Sequence, residues 1–237
     1  MKARLDERLV ALRMAQSRSQ AANLIKLGKV FIDGASFTKP GHMVRDDQTV
    51  TMESSETYVS RAGFKLASAN EVFAINFNGT VVLDVGSSTG GFTDYALQHG
   101  ASKVIAVDVG TDQLHPSLRT DQRIELHEKT DIRDFETKSA IDVVVIDVSF
   151  ISLREILPTV KRFCNQKTQV VAMLKPQFEA GDKAKHKGVI KNSKLRRQII
   201  KDFELWAKQY FVILNSRDSG VSGAKGNQEK FYLLKKI

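Results

Sequence analysis

The sequence predicts an α/β protein: a doubly wound, mostly parallel seven-stranded sheet preceded by a small α+β domain. Three observations carry that expectation. After residue 79 the chain holds seven short apolar runs, several almost continuously β-branched, as strands covered by helices on both faces must be. Helical patterns separate most of these runs, the alternation from which parallel sheets are built. The first sixty residues read differently, with two helical segments ahead of short alternating ones.

Each element follows from local chemistry. Leu5, Leu9 and Leu12 recur at helical spacing. A second helix is expected from Ser17-Arg18-Ser19-Gln20, a capping-box pattern in which serine and glutamine satisfy the first free amides. It carries Ala21, Leu24 and Ile25 on one side and stops at Gly28. An alternating strand, Lys29-Val30-Phe31-Ile32, a turn at Asp33-Gly34, a breaker at Lys39-Pro40-Gly41 and a second strand around Val50 complete the unit. A polar stretch over 53–57 follows, so the domains are expected at 1–58 and 59–237. The strands of the second domain are expected at 80–85, 103–109, 124–127, 143–148, 169–174, 211–215 and 231–234. The run 217–228 between the last two carries glycines and no helical pattern, so they should pair as an antiparallel hairpin at one edge.

Composition bounds the function. Of 237 residues, 42% are hydrophobic and 27% charged, which fits a folded globular chain rather than a disordered one. The formal net charge of +9 points to a polyanionic partner. Apolar stretches such as Val143-Val144-Val145-Ile146 are far shorter than the roughly 20 residues of a membrane-spanning helix, so no membrane partner is expected. The N-terminus alternates charges with single apolar residues and lacks a secretory core, so a cytoplasmic location is expected. Cys164 is the only cysteine, which excludes an internal disulfide and a cysteine-based zinc site; it reads as a small packing residue. Trp206 follows Leu195, Ile199 and Phe203 at helical spacing and reads as core. Over 183–201 eight basic residues occur without an acid, a run that by itself suits a solvated helix face as well as a polyanion contact.

The first domain resembles the small RNA-binding domain first seen in ribosomal protein S-four. The residues that carry the resemblance are Arg4-Leu5-Asp6, Ser17-Arg18, Ala21, Leu24-Ile25, Gly28-Lys29-Val30, Asp33-Gly34 and Lys39-Pro40-Gly41. It implies that the helix pair and the following loop grip structured RNA, with Arg4, Arg8, Arg18, Lys26, Lys29 and Lys39 as contacts. Nine basic against seven acidic residues over 1–60 leave this domain at only +2.

In the second domain, Asp84-Val85-Gly86-Ser87-Ser88-Thr89-Gly90-Gly91-Phe92 reads as a strand end, a glycine-rich turn and a helix start. Ligands of open parallel sheets bind at such carboxyl ends, where glycine lets the backbone approach them. The pattern is not the dinucleotide fingerprint, and it lacks the lysine of a phosphate-binding loop. Asp84 would repel a pyrophosphate but suits the sulfonium and amino groups of S-adenosylmethionine. Asp108 ends the next strand, near the offset at which an acid reaches ribose hydroxyls. Asp131 follows the third strand and is placed to edge an adenine. Gly86, Ser87, Gly90, Gly91 and Phe92 complete the expected cofactor set.

Lys65 lies on the helix leading into the first of these strands, Asp147 and Lys175 end the fourth and fifth, and Glu229 opens the last. Two lysines and two carboxylates could converge beside a methyl donor, with Lys175 as general base, Lys65 lowering its pKa and the acids orienting both. Spacing alone leaves unrelated salt bridges the better reading. The five histidines show no ligand spacing, and no metal is expected.

The whole chain resembles the TlyA-type, haemolysin-like ribosomal RNA 2′-O-methyltransferases, in which an S-four-like domain is fused to an FtsJ-like, Rossmann-like methyltransferase domain. The resemblance runs through Val59-Ser60-Arg61, Phe64-Lys65-Leu66, Asp84 to Asp94, Val107-Asp108-Val109-Gly110, Asp147-Val148-Ser149-Phe150-Ile151-Ser152, Leu174-Lys175-Pro176-Gln177-Phe178-Glu179 and Lys187-Gly188-Val189. The family's Lys-Asp-Lys-Glu catalytic set maps onto Lys65, Asp147, Lys175 and Glu229. The resemblance implies an enzyme that uses S-adenosylmethionine on a cytidine ribose of ribosomal RNA or ribosomal subunits, with Arg61, Lys183, Lys185 and Lys187 added to the RNA contacts; the oligomeric state stays open, with a monomer favoured. Tyr58 stands where members often carry tryptophan, and the last strand ends at Ile237 where longer members continue; the short form resembles members that modify large-subunit RNA only, while longer forms also modify the small subunit, and small-subunit RNA stays open as a further substrate. Two alternatives are a non-catalytic RNA-binding ribosome-assembly factor and, less well supported, a haemolysin.

Overall fold

The computed structural model describes residues 2–15, 17–52, 58–181, 189–190, 192–221, 223 and 226–237. The chain divides into two compact units, Met1–Arg61 and Ala62–Ile237.

In the first unit, strand β1 (Lys2–Arg4) leads into helices α1 (Leu5–Ala11) and α2 (Arg18–Lys26). Leu5 and Leu9 are buried with Ala21, Leu24 and Ile25, so the two helices share one apolar seam. Leu12 falls at the C-cap of α1 instead and is exposed. The Ser17 hydroxyl accepts from the Gln20 amide at 3.2 Å, the N-cap that the sequence announces, and Gly28 turns the chain with φ +71°. Strand β2 (Val30–Ile32) pairs antiparallel with β3 (Ala35–Phe37) across Asp33-Gly34. Both turn residues have positive φ, 50° and 82°, as a two-residue turn matched to strand twist requires. Strand β5 (Val50–Met52) takes the other side of β2, while β1 pairs with β4 (Met43–Arg45). Strands β1, β3 and β4, three residues each, have no counterpart among the strands that the sequence predicts.

Helix α3 (Arg61–Phe73) starts at the boundary residue, and the second unit continues through β6 (Val81–Val85), α4 (Gly91–Gln98), β7 (Lys103–Val107), β8 (Ile124–His127) and β9 (Val143–Ile146). Then follow α5 (Leu153–Phe163), β10 (Gln169–Leu174), the short α6 (Pro176–Glu179), α7 (Ser193–Ala207), β11 (Phe211–Asp218) and β12 (Lys230–Lys236). The sheet order is β11-β12-β10-β9-β6-β7-β8, with β12 the strand antiparallel to its neighbours. The hairpin occupies an edge, but β12 lies inside it between β10 and β11. Phe231, Tyr232, Leu233 and Leu234 are all buried and demand neighbours on both sides, whereas β11 keeps Val212 and Leu214 exposed and can serve as the edge.

The core beneath α5 and α7 joins Val144, Ile146, Val170 and Ala172 to Ile156, Leu157, Val160, Phe203 and Ala207. Trp206 packs against it half-buried, and Cys164 is buried within it. Among the described residues no helix is long and apolar enough to cross a membrane.

Candidate active site

Strand order reverses at β6. The chain runs outward through β7 and β8, then returns to place β9 on the other flank of β6. A crevice must open there at the carboxyl ends, and the structure has a cavity of about 400 Å³ at that place. Its walls are Gly86 and Ser88 after β6, Asp108 and Val109 after β7, Asp131 and Ile132 after β8, and 147–151 after β9. Gly86 has φ +82°, and a Cβ there would lie 3.0 Å from the Asp147 carbonyl oxygen, so glycine lets two strand ends meet. A smaller cavity of about 130 Å³ shares Gly86, Ser88, Asp147 and Ser149 with the first and adds Ser87, Phe92 and Lys175.

Gly90 and Gly91 are not among the residues lining either cavity. Gly90, with φ +87°, is the N-cap of α4, and a side chain there would collide with Leu114 and Leu118. Its lack of a side chain therefore serves packing.

The three acids expected at the cofactor occupy unlike environments. Asp84 is completely buried and lines neither cavity. Its Oδ2 accepts from Thr93 Oγ1 at 2.6 Å in the first turn of α4, while Oδ1 has no hydrogen-bond partner among the described residues. Burial is the main cause that pushes its pKa up to about 7; the charges of Asp147 and Asp108 add to it and the Thr93 bond opposes it. Asp108 ties the loops, its oxygens accepting from the Ser88 amide at 2.8 Å and the Gly110 amide at 2.6 Å. Asp131 lines the large cavity and is held by Arg133 at 2.7 and 3.0 Å, a hydrogen-bonded partner that lowers its pKa. Ser87 Oγ is likewise buried without a hydrogen-bond partner among the described residues.

The four candidate catalytic residues form two ion pairs. Lys175 Nζ lies 2.6 Å from Asp147 Oδ1 and donates a hydrogen bond of 2.7 Å to Ser149 Oγ. Lys65 Nζ donates to Glu229 Oε2 at 2.5 Å, with both side chains buried. Lys175 and Asp147 line the smaller cavity; Lys65 and Glu229 are not among its lining residues. The ammonium expected to perturb Lys175 thus brings its own carboxylate. The Glu229 side chain fills the space a side chain at Gly223 would need.

Three further residues had no role in the sequence reading. Ser149 touches Lys175 and lines both cavities. Phe150 is 91% exposed with φ +66°, an uncommon conformation for an aromatic residue, and its ring stands 5.2 Å from that of Phe178. The Glu179 side chain is buried, and burial is the main cause that raises its pKa, against hydrogen bonds from Ser152 and the Leu153 amide. Only the place of Ser149 and Phe150 directly after Asp147, and of Glu179 in the run after Lys175, could have drawn notice.

In the first unit, Arg4 hydrogen-bonds to Asp6 at 2.8 and 3.0 Å, Arg18 reaches Asp6 at 3.5 Å and Glu7 at 3.1 Å, and Arg8 pairs with Asp46 at 3.2 Å. Lys26 and Lys39 are exposed, and Lys29 and Arg61 half-buried. Lys183, Lys185 and Lys187 lie outside the described residues.

A parallel sheet with one reversed strand and a crevice bounded by strand-end acids defines a Rossmann-like fold of the methyltransferase class. Comparison with known proteins agrees: the family described as FtsJ-like methyltransferase matches residues 58–236, and the S4 domain matches residues 3–50. The 16S/23S rRNA (cytidine-2′-O)-methyltransferase TlyA of Mycobacterium tuberculosis is 39% identical, over 99% of this chain and 90% of the relative. The 23S rRNA (cytidine-2′-O)-methyltransferase TlyA of Campylobacter jejuni is 36% identical, over 94% and 96%. A solved structure from Streptococcus thermophilus, described as a candidate hemolysin, superposes with TM-score 0.75 at 35% identity, covering 100% of this chain and 89% of that one. The chain belongs to the TlyA-type family of FtsJ-like methyltransferases.

Proposed function

We propose that the protein transfers a methyl group from S-adenosylmethionine to the 2′-oxygen of a cytidine ribose in large-subunit ribosomal RNA. Both TlyA relatives carry 23S rRNA in their names, which supports that substrate. The observation that carries the reading is the Lys175–Asp147–Ser149 cluster at the switch point of the sheet, where Asp147 and Ser149 line both cavities and Lys175 the smaller one.

The residues present fit the cofactor. Asp84 Oδ1 and Ser87 Oγ are buried polar atoms without hydrogen-bond partners among the described residues, beside a loop that Gly86 holds close. Gly86, Ser87, Phe92, Asp108 and Asp131 would hold S-adenosylmethionine, with Asp84 beneath the loop and Gly90 and Gly91 shaping it. When bound, the cofactor supplies a methyl group on a sulfonium, which leaves as a neutral thioether.

A ribose hydroxyl is a poor nucleophile until its proton is taken. With Nζ held 2.6 Å from Asp147 Oδ1 and hydrogen-bonded to Ser149 Oγ, Lys175 is the residue assigned to take that proton. Asp147 and Ser149 orient it. Lys65, locked on Glu229, lines neither cavity, so the second pair acts by position. The exposed Phe150 ring at the rim offers a face for a base turned out of its helix. Arg4, Arg8, Arg18, Lys26, Lys29 and Lys39, with Arg61 and the basic run that includes Lys183, Lys185 and Lys187, supply phosphate contacts that weaken with salt. Arg4 and Arg18 are solvent-exposed in their pairs with Asp6 and Glu7 and stay open to phosphate.

The test is transfer of labelled methyl groups to ribosomes, separated subunits and naked RNA, with Lys175→Ala beside the wild type. Incorporation into a cytidine 2′-oxygen of large-subunit RNA that disappears in the variant, with RNA binding retained, supports the reading. RNA binding by the wild type without incorporation anywhere would favour an assembly factor.

A further inference from the structure

We infer that Glu179 is a positioning residue for methyl transfer: its buried carboxylate clamps the 147–152 loop to the segment that carries Lys175. The inference rests on the reading of Lys175 and Asp147 as the reactive pair.

Strands β9 and β10 are adjacent and parallel, and their register ends at Ile146 opposite Ala172. Asp147 leaves one strand and Lys175 the other, so no ladder bond sets the position of one loop against the other beyond that point. Side chains must do it. Glu179 Oε2 accepts from Ser152 Oγ at 2.6 Å and Oε1 accepts from the Leu153 amide at 2.6 Å, with Arg154 Nε 3.8 Å from Oε2. The Glu179 side chain is 1% exposed, so its desolvation is offset only while these partners stay in place. Leu153 is the first residue of α5, and its amide is one that the helix itself leaves without a partner.

The loop between the two anchors needs this. At one end the Asp147 amide donates to the Val85 carbonyl at 3.1 Å and the side chain pairs with Lys175. At the other, Ser152 and Leu153 are held by Glu179. Phe150, between them, sits at φ +66°, a conformation that persists only where its surroundings over-determine it. The Phe150–Phe178 ring contact spans the same gap, with Phe150 just ahead of Ser152 and Phe178 directly before Glu179. Releasing Glu179 lets 148–151 relax, and Ser149 leaves its place on Lys175.

The experiment compares wild type, Glu179→Ala, Glu179→Gln and Ser152→Ala by two readouts: amide hydrogen exchange of a peptide covering 147–153, and kcat, KM for RNA and cofactor affinity in methyl transfer. Thr168→Ala, which removes a buried hydroxyl that donates to the Ile141 carbonyl at the opposite end of β10, controls for lost stability alone. In Glu179→Ala, exchange over 147–153 rises and kcat falls by roughly a hundredfold, the scale of an ångström of misplacement, while cofactor affinity holds. Glu179→Gln recovers most of kcat, because its amide oxygen can accept from Leu153 and its NH2 can donate to Ser152 Oγ. Ser152→Ala falls between, and Thr168→Ala leaves kcat unchanged. Wild-type kcat in a folded Glu179→Ala, unchanged exchange over 147–153, or a kcat loss matched by Thr168→Ala overturns the clamp. Should Glu179→Ala not fold, Ser152→Ala and Glu179→Gln decide by the same two readouts. Should the wild type transfer no methyl group, the functional reading fails and exchange alone decides the clamp.

Discussion

Asp84 makes the stability of the ligand-free protein depend on pH in the direction opposite to an ion-paired carboxylate. Its ordinary pKa of 3.8 is raised to about 7 by complete burial. Between these values the unfolded chain has lost the proton and the folded chain keeps it, so the folded state binds more protons and its stability falls as pH rises. From about pH 5 to about pH 7, two units at ~1.36 kcal/mol each, the loss comes to roughly 2.7 kcal/mol, and little more follows above. For a unit of this size that is a fall in Tm of roughly 5–10 °C. Urea unfolding followed by fluorescence isolates the effect, because Trp206 is the single tryptophan and belongs to the second unit. Other groups titrate too, so the decisive quantity is the difference between wild type and Asp84→Asn, whose amide can still accept from Thr93. The variant should gain on the wild type by roughly 2.7 kcal/mol between about pH 5 and about pH 8. Parallel pH profiles would refute the reasoning, since they would mean that Asp84 is charged in the folded state at acid pH or that water reaches it.

Further outcomes can be checked individually. Gly86→Ala should cost at least about 1 kcal/mol in urea unfolding, from a positive φ and a Cβ against the Asp147 carbonyl, and should weaken cofactor binding measured by calorimetry. Cys164, buried and with its pKa pushed up to about 11, should resist alkylation at about pH 8 in the native protein and react once unfolded, as read by mass spectrometry. Asp6→Asn should destabilise the first unit by about 1 kcal/mol, a modest loss because Arg4 and Arg18 stay solvated, and should leave the salt slope of RNA binding intact. Phe150→Ala should lower kcat/KM for RNA while leaving cofactor affinity unchanged, if the ring holds the base.

Local chemistry reached far along this chain. The β-branched runs at 81–85, 103–107, 143–146 and 169–174 are strands because such segments, covered on both faces, have no other economical state. Ser17 and Gly28 bound α2 through bonds and dihedrals that involve near neighbours only. The glycine-rich turn after β6 announced the crevice for the same reason, since a positive φ at Gly86 is a local requirement. The residues later found paired were named as well, yet which lysine meets which acid was open.

That choice belongs to the tertiary structure. Lys65 meets Glu229 across 164 positions of sequence, and Lys175 takes Asp147, because the antiparallel last strand enters the sheet beside β10 while β9 lies on the far side of β10. Burial is equally nonlocal. Asp84 reads as a ligand-facing acid from its place in the strand, and only α4 packed over it, with Thr93 on its carboxylate, turns it into a buried carboxyl. Ser149 and Glu179 have ordinary neighbours in sequence and gain their roles from the meeting of two loops past the end of a ladder. Hydrophobic period and turn chemistry are set within a few residues and can be read from them. Ion-pair choice, desolvation and loop registration depend on which strands become neighbours, and that is decided when the sheet assembles.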